Sequence, residues 1–328
     1  MRRASAEMDV LREIADAVLY EGYVLWPYRR FALKNTRRFT FGGVYPPAHS
    51  AAHPDDPSAM QTEVLVEGGK DARVEVRVRF LQIVRRQAVR RGEPVDELVV
   101  GGRRHLSWEE ASERELRTGE LSLSGRRRFT VAIPASREEE DLGDGGLVRT
   151  WHELKGEVTV GVEPLDEALH RLTVRIENQT AFAGDDREAA LERTFCSTHT
   201  ILRARDAAFV SCTDPPEALR PAVERLRNER AWPVLVGEPG ERDTVLSSPI
   251  ILEEYPRVAP ESPGDLFDGG EIDQLLTLNI LSLTDEEKAE MRASDPRTRE
   301  ILDRTEALTE QELMRLHGAI RDLRRVGR

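Results

Sequence analysis

Cys196 and His199 stand in a Cys-x-x-His spacing with a further cysteine at Cys212, and thiolate with imidazole is the donor set of a zinc site. The segment from Phe195 to Leu202 reads as a strand, where residues three apart project to opposite faces. The pair therefore cannot share a metal unless the strand is bulged, and a buried cysteine packs as a small apolar residue. His49 and His53 lie near Asp55 and Asp56; beside prolines they read as solvated loop histidines. His152-Glu153 opens like a zinc-protease helix, but Leu154-Lys155-Gly156 brings no second histidine. His170 shares strand phase with Leu172, Val174 and Ile176, the place of a core or edge histidine. No Gly-x-Ser-x-Gly elbow and no glycine-rich phosphate loop of either common type occurs. The sequence assigns no catalytic residue, no metal ligand and no cofactor.

Two charged stretches remain. Between Gly22 and Pro54 there is no acid, and Arg29, Arg30, Lys34, Arg37 and Arg38 are interleaved with Tyr28, Phe31, Phe39, Phe41 and Tyr45. Such a stretch can hold an anion, stack RNA bases or meet a protein; it can also be a strand and turn whose arginines pair with acids of this chain. Glu253, Glu254, Glu261, Asp265, Asp268, Glu271 and Asp273 crowd a segment broken by Pro256, Pro260 and Pro263. Their spacing is not that of a calcium loop. With Tyr255, Leu266 and Phe267 the segment either docks on a partner or wraps its own sheet. The partner-binding candidates are Arg29, Arg30, Arg37, Arg38, Glu253, Glu254, Tyr255, Asp265, Phe267, Asp268 and Asp273.

The elements that would carry these residues are mostly strands. Val74, Val76, Val78 and Phe80 alternate with Glu75, Arg77 and Arg79, and the same period of two returns at Phe129–Ile133, Val158–Val162 and Leu172–Ile176. Each run puts one face on a core and one in water. At Phe80-Leu81 the phase slips to Leu81 and Ile83, which calls for a bulge or for burial of both faces. Eight to ten strands are expected, with no helices alternating between them, so a parallel sheet is disfavoured. The acidic, then glycine-rich stretch Arg137 to Gly146 reads as an unstructured loop.

Met8, Leu11, Ala15, Val18 and Leu19 predict a short amphipathic helix near the N-terminus. A second helix is expected over Glu217 to Arg230, then two short strands at Val234–Val236 and Val245–Leu246. Helix starts are marked by the capping boxes Thr284/Glu287 and Thr309/Glu312 and by Asp295-Pro296. The last helix carries Leu313, Leu316, Ile320 and Leu323. The fold class is α+β, a mostly antiparallel β-sandwich with a short N-terminal helix and a helical C-terminal appendix. It divides into residues 1–60 (helix and arginine/aromatic segment), 61–213 (sandwich) and 214–328 (mixed, then helical, including the extended acidic segment 247–273). Removal of residues 253–328 is expected to leave a folded sandwich.

Across 328 residues the net charge is −12, with 33% charged and 39% hydrophobic residues. That balance disfavours nucleic acid and anionic membrane surfaces as partners. No apolar run has the length of a signal core or of a membrane span, and two cysteines form no disulfide framework. The expected address is the cytoplasm.

The stretch Ser248-Pro249-Ile250-Ile251-Leu252-Glu253-Glu254-Tyr255-Pro256-Arg257 through Asp268, with the helices following to His317-Gly318, resembles an uncharacterised bacterial family associated with [NiFe]-hydrogenase gene clusters, notably the actinobacterial type. Trp26-Pro27-Tyr28-Arg29-Arg30-Phe31-Ala32-Leu33-Lys34-Asn35 resembles it too. The clear part covers about a quarter of the chain and carries no known chemistry. The resemblance implies an accessory or assembly role with a protein partner, a hydrogenase subunit or maturation factor. A metal carrier would want a Cys/His-rich site, so docking fits better than metal delivery. The alternatives are an enzyme or small-molecule binder using Arg29–Arg38 with carboxylates near Asp265, and an RNA-binding module.

Overall fold

The computed structural model describes residues 14–20, 41–257, 273–309 and 312. Its framework is an eleven-stranded antiparallel sheet organised around one strand, β1 (Ala59–Arg90). Straight, 32 residues would span about 100 Å. Instead β1 changes partners along its length. Ala59–Glu67 pairs with β10 (Leu169–Asn178) and Arg73–Arg86 pairs with β5 (Trp108–Ser122). On the other side β11 (Cys196–Phe209) follows it from Val66 to Leu81. Pairing with β11 lapses between Gly68 and Arg73, where Asp206 takes a φ of 55°. A Cβ on Gly68 would lie 2.7 Å from that of Ala72 and 2.8 Å from that of Ala207, so only glycine permits the bend.

The sheet continues outward from β10 through β9 (Leu154–Pro164) to β6 (Gly125–Ile133). From β11 it continues through β13 (Thr244–Ser248) to β12 (Trp232–Leu235), past residue 213. Its apolar faces meet in one core that joins Val64 and Val66 to Val74, Val76, Val78 and Phe80. Phe195 shows how far β1 folds back. Its ring stacks on Phe80 with centroids 4.6 Å apart, while a Cβ on Gly156, two strands from the start of β1, would fall 2.7 Å from it. The α+β, sandwich-like class read from alternation is the observed one.

The far end of β1 carries smaller pieces that sequence patterning did not separate. Arg91 and Gly92, with φ of 54° and 83°, turn it into β2 (Glu93–Val95), and β3 (Glu97–Val100) pairs with β4 (Arg103–Leu106). The stretch expected to be an unstructured loop is a hairpin, β7 (Ser136–Asp141) against β8 (Gly146–Trp151), and β8 pairs with β1. All six residues of β7 are exposed, and a row of charges is what an edge strand tolerates. The helix expected over Glu217 to Arg230 is cut to a 3₁₀ turn, Glu217–Leu219, and one short turn at Arg220–Val223. Tertiary bonds override it: Glu63, 6% exposed, takes the Arg227 N–H at 2.8 Å, and the Asn228 side chain takes the Glu63 N–H at 2.8 Å.

Helix α1 (residues 14–20) packs Ile14, Ala15 and Val18 on Ile201, Val236 and Leu246. Short helices α2 (Pro47–Ala52) and α3 (Arg187–Leu191) flank the sheet, and Arg220–Val223 is α4. The C-terminal helices are α5 (Asp273–Leu281), α6 (Asp285–Ser294) and α7 (Pro296–Glu306). Thr284 and Glu287 form the expected capping box, Asp295 caps α7, and Thr309 and Glu312 exchange the same bonds. Ile280, Met291, Ile301 and Leu302 cover Leu81, Ile83 and Trp108. The phase slip therefore has both causes: the second face of β1 is buried, and β11 is bulged there. His199 pairs with Arg79 and Cys196 with Leu81, so Ser197 and Thr198 together oppose Phe80 alone, with Ser197 at φ 51°.

Candidate functional site

That bulge corrects the reading of Cys196 and His199. Paired with Leu81 and Arg79, they share the helix-covered face and do not oppose each other. They still do not make a metal site. His199 is fully buried beside the Arg79 guanidinium, and burial first and that charge second push its pKa down to about 3. Its Nδ1 lies 3.2 Å from the Ser197 carbonyl, as a neutral ring donating there would place it. Among the described residues no group of three His, Cys, Asp or Glu side chains converges as a metal site, and both cysteines are free.

The histidines read as solvated are not both so. His49 is 1% exposed in α2, its Nε2 is 2.9 Å from Asp56, and its ring stacks between Tyr45 and His53 with centroids 5.2 and 4.3 Å away. Burial would raise the Asp56 pKa, but hydrogen bonds from His49 and Arg187 outweigh it and hold the carboxyl below its usual range. A carboxylate-oriented imidazole is half of a general-base pair. Here Nδ1 is buried without a hydrogen-bond partner among the described residues, so the pair meets no nucleophile.

Two further polar clusters tie the helices to the sheet. Arg79 contacts Asp16 of α1 at 2.6 Å and Glu113 of β5 at 3.4 Å, and Glu113 also accepts from Tyr20 at 2.7 Å and Arg297 at 2.8 Å. Arg86 is 6% exposed. It donates to the carbonyls of Leu106, Ala293 and Ser294 at 3.0, 3.1 and 2.5 Å and pairs with Glu110 at 2.6 Å. The orphan carbonyls closing α6 are thus satisfied by a cation from the sheet.

The concave feature with unused charge lies beyond the core. Gln82 and Val84 continue the inward series of Val74 to Phe80, and Val84 with β5, β7 and β8 lines a groove of about 300 Å³. Gln82, fully buried, donates to the His152 carbonyl at 2.7 Å and accepts from Arg114 Nε at 3.0 Å. The guanidinium stands 5.8 Å from the ring centre of Trp151, whose Nε1 is fixed on the Pro134 carbonyl at 3.2 Å. Burial lowers the Arg114 pKa and the charge of Glu138 opposes the shift. At neutral pH the guanidinium stays charged. The neighbouring charges are matched: Glu110 lies between Arg86 and Arg149, and Arg149 also meets Glu140 at 2.8 Å.

None of the partner-binding candidates lines this groove among the described residues. Arg29, Arg30, Arg37, Arg38, Asp265, Phe267 and Asp268 lie outside the described residues, and Asp273 is the first residue of α5. Glu253 is exposed. Glu254 accepts from Ser211 at 2.6 Å and from the Leu235 N–H at 2.7 Å, and Tyr255 packs on the main core with its N–H on the Leu235 carbonyl. At 253–257 the chain wraps its own sheet. Sequence reading missed Arg114, Glu138 and Trp151; its one available signal was Gln82, polar in an otherwise apolar inward series.

Among the described residues no helix is long and apolar enough to cross a membrane. No protein-family model matches the chain, and no curated protein matches it.

Proposed function

We propose that this chain is a non-enzymatic accessory protein of the cytoplasm that docks on a protein partner, a hydrogenase subunit or maturation factor, through the acidic segment around Asp265, Phe267 and Asp268. One structural observation supports the reading most. The residues flanking that segment are anchored on the same body: Glu254 on Ser211 and on β12, Tyr255 on β12, and α6 on β1 through Arg86. A segment that begins and ends at fixed points loses less entropy on binding than a free tail does. The family resemblance of residues 248–268 supplies the class of partner.

The test is affinity capture from the native host with the full chain and with a triple variant, Asp265→Asn, Phe267→Ala and Asp268→Asn. Hydrogenase subunits or maturation factors enriched on the parent chain, and reduced about tenfold or more on the variant, support the reading. Equal capture by both chains overturns the role of the segment, and no such protein on either overturns the docking reading. An unchanged melting temperature of the variant separates lost docking from lost folding.

A further inference from the structure

We propose that the groove between β1, β5, β7 and β8 binds a small zwitterion of the amino-acid or dipeptide type, its carboxylate on Arg114 and its ammonium on Glu138. Four charged side chains line the groove: Glu110, Arg114, Glu138 and Arg149. Glu110 and Arg149 neutralise each other and their neighbours Arg86 and Glu140. Arg114 and Glu138 are left, and neither has an ion-pair partner within 4 Å among the described residues. They are close enough for the Glu138 charge to act on Arg114, yet they do not touch. A plain anion would satisfy Arg114 and be repelled by Glu138; a plain cation would meet the converse. A ligand carrying both charges satisfies both.

The site is built, not a surface accident of two side chains. Gln82, buried and itself held by the His152 carbonyl, fixes the Arg114 plane through Nε, and Trp151 lies against the guanidinium. That leaves the two Nη groups as a fork for a carboxylate. Ser112 adds a hydroxyl to the wall, while Val84 gives an apolar floor for a side chain. None of residues 253–257 lines the groove.

The experiment is titration calorimetry of the full chain with glycylglycine, L-alanine, acetate, methylammonium and inorganic phosphate. Each is repeated on Arg114→Gln, Arg114→Lys and Glu138→Gln. The two zwitterions should bind the parent chain, and Arg114→Gln should weaken them about tenfold or more, with Arg114→Lys between. Glu138→Gln, an exposed position that tests the site without threatening the fold, should weaken the zwitterions and strengthen acetate. Acetate or phosphate binding as tightly as the zwitterions would make this a plain anion site and overturn the proposal. So would a Glu138→Gln chain that binds glycylglycine unchanged. No binding of any probe would mean that Glu138 closes on Arg114 in solution, and would overturn it as well.

Discussion

At the scale of single residues, the buried histidines decide how this protein responds to mild acid; burial also lowers the His105 pKa, but the larger shift belongs to fully buried His199. Its folded pKa, about 3, is far below the ordinary value of 6.5. The neutral ring is the form that folds, so stability is fully present above about pH 6.5 and is lost as pH falls, by roughly 1.4 kcal/mol per unit. At pH 5 the loss is about 2 kcal/mol. Asp56 acts in the same direction but lower down. Its pKa is held below 3.8, so its contribution is present above that value and disappears as pH falls through the folded one. Urea unfolding at pH 7 and pH 5, compared between the parent chain and a His199 variant, isolates this histidine from His105. The parent chain should lose about 2 kcal/mol between them. His199→Asn, which keeps a donor for the Ser197 carbonyl and cannot titrate, should lose much less. Equal losses in both chains would show that another group carries the acid sensitivity.

At the scale of elements, the bulge in β11 is the piece that sets which faces meet. Ser197 sits at φ 51°, a conformation costing an L-residue about 1–2 kcal/mol, and its hydroxyl is buried without a hydrogen-bond partner among the described residues. Ser197→Gly removes both costs and adds about 0.5–1 kcal/mol of unfolded-chain entropy, so a net gain of about 1 kcal/mol is expected. A rise in urea midpoint with an unchanged slope checks it, and a fall would show that the hydroxyl is needed. The same bulge marks the limit of sequence reading. The alternation of Val74 to Phe80 is visible because one core face imposes it, and the slip at Leu81 is visible because a second face is buried. That the extra residue sits in β11 is not visible, since nothing in Ser197 announces a left-handed backbone. Thr284 with Glu287 is legible because capping is local. Glu217 to Arg230 is not, because Glu63, more than 150 positions earlier in the chain, captures its backbone and ends the helix. Arg114 and Trp151 were hidden for a related reason: they stand on two strands, β5 and β8, far apart in sequence, that pairing with β1 brings together, and no spacing connects them.

For the whole molecule, the question is whether the C-terminal helices are an appendix at all. Their buried face covers Leu81, Ile83 and Trp108, and the last carbonyls of α6 are acceptors for Arg86. Uncovering three such side chains costs about 1.5–3 kcal/mol each. A buried guanidinium that loses two of its three carbonyl partners adds about 1–3 kcal/mol more. Together these are comparable to the entire 5–15 kcal/mol by which a domain of this kind is stable. A chain ending at Arg257 is therefore expected to lose cooperative unfolding and to expose an apolar face that binds a hydrophobic dye, contrary to the expectation that residues 253–328 can be removed from a standing sandwich. Thermal melts and dye binding of the shortened and full chains decide it. A cooperative melt within a few degrees of the full chain's would show that β1 holds its second face without the helices. Lost cooperativity would mean that truncation cannot separate docking from folding, because the helices it removes cover an apolar face of the sheet.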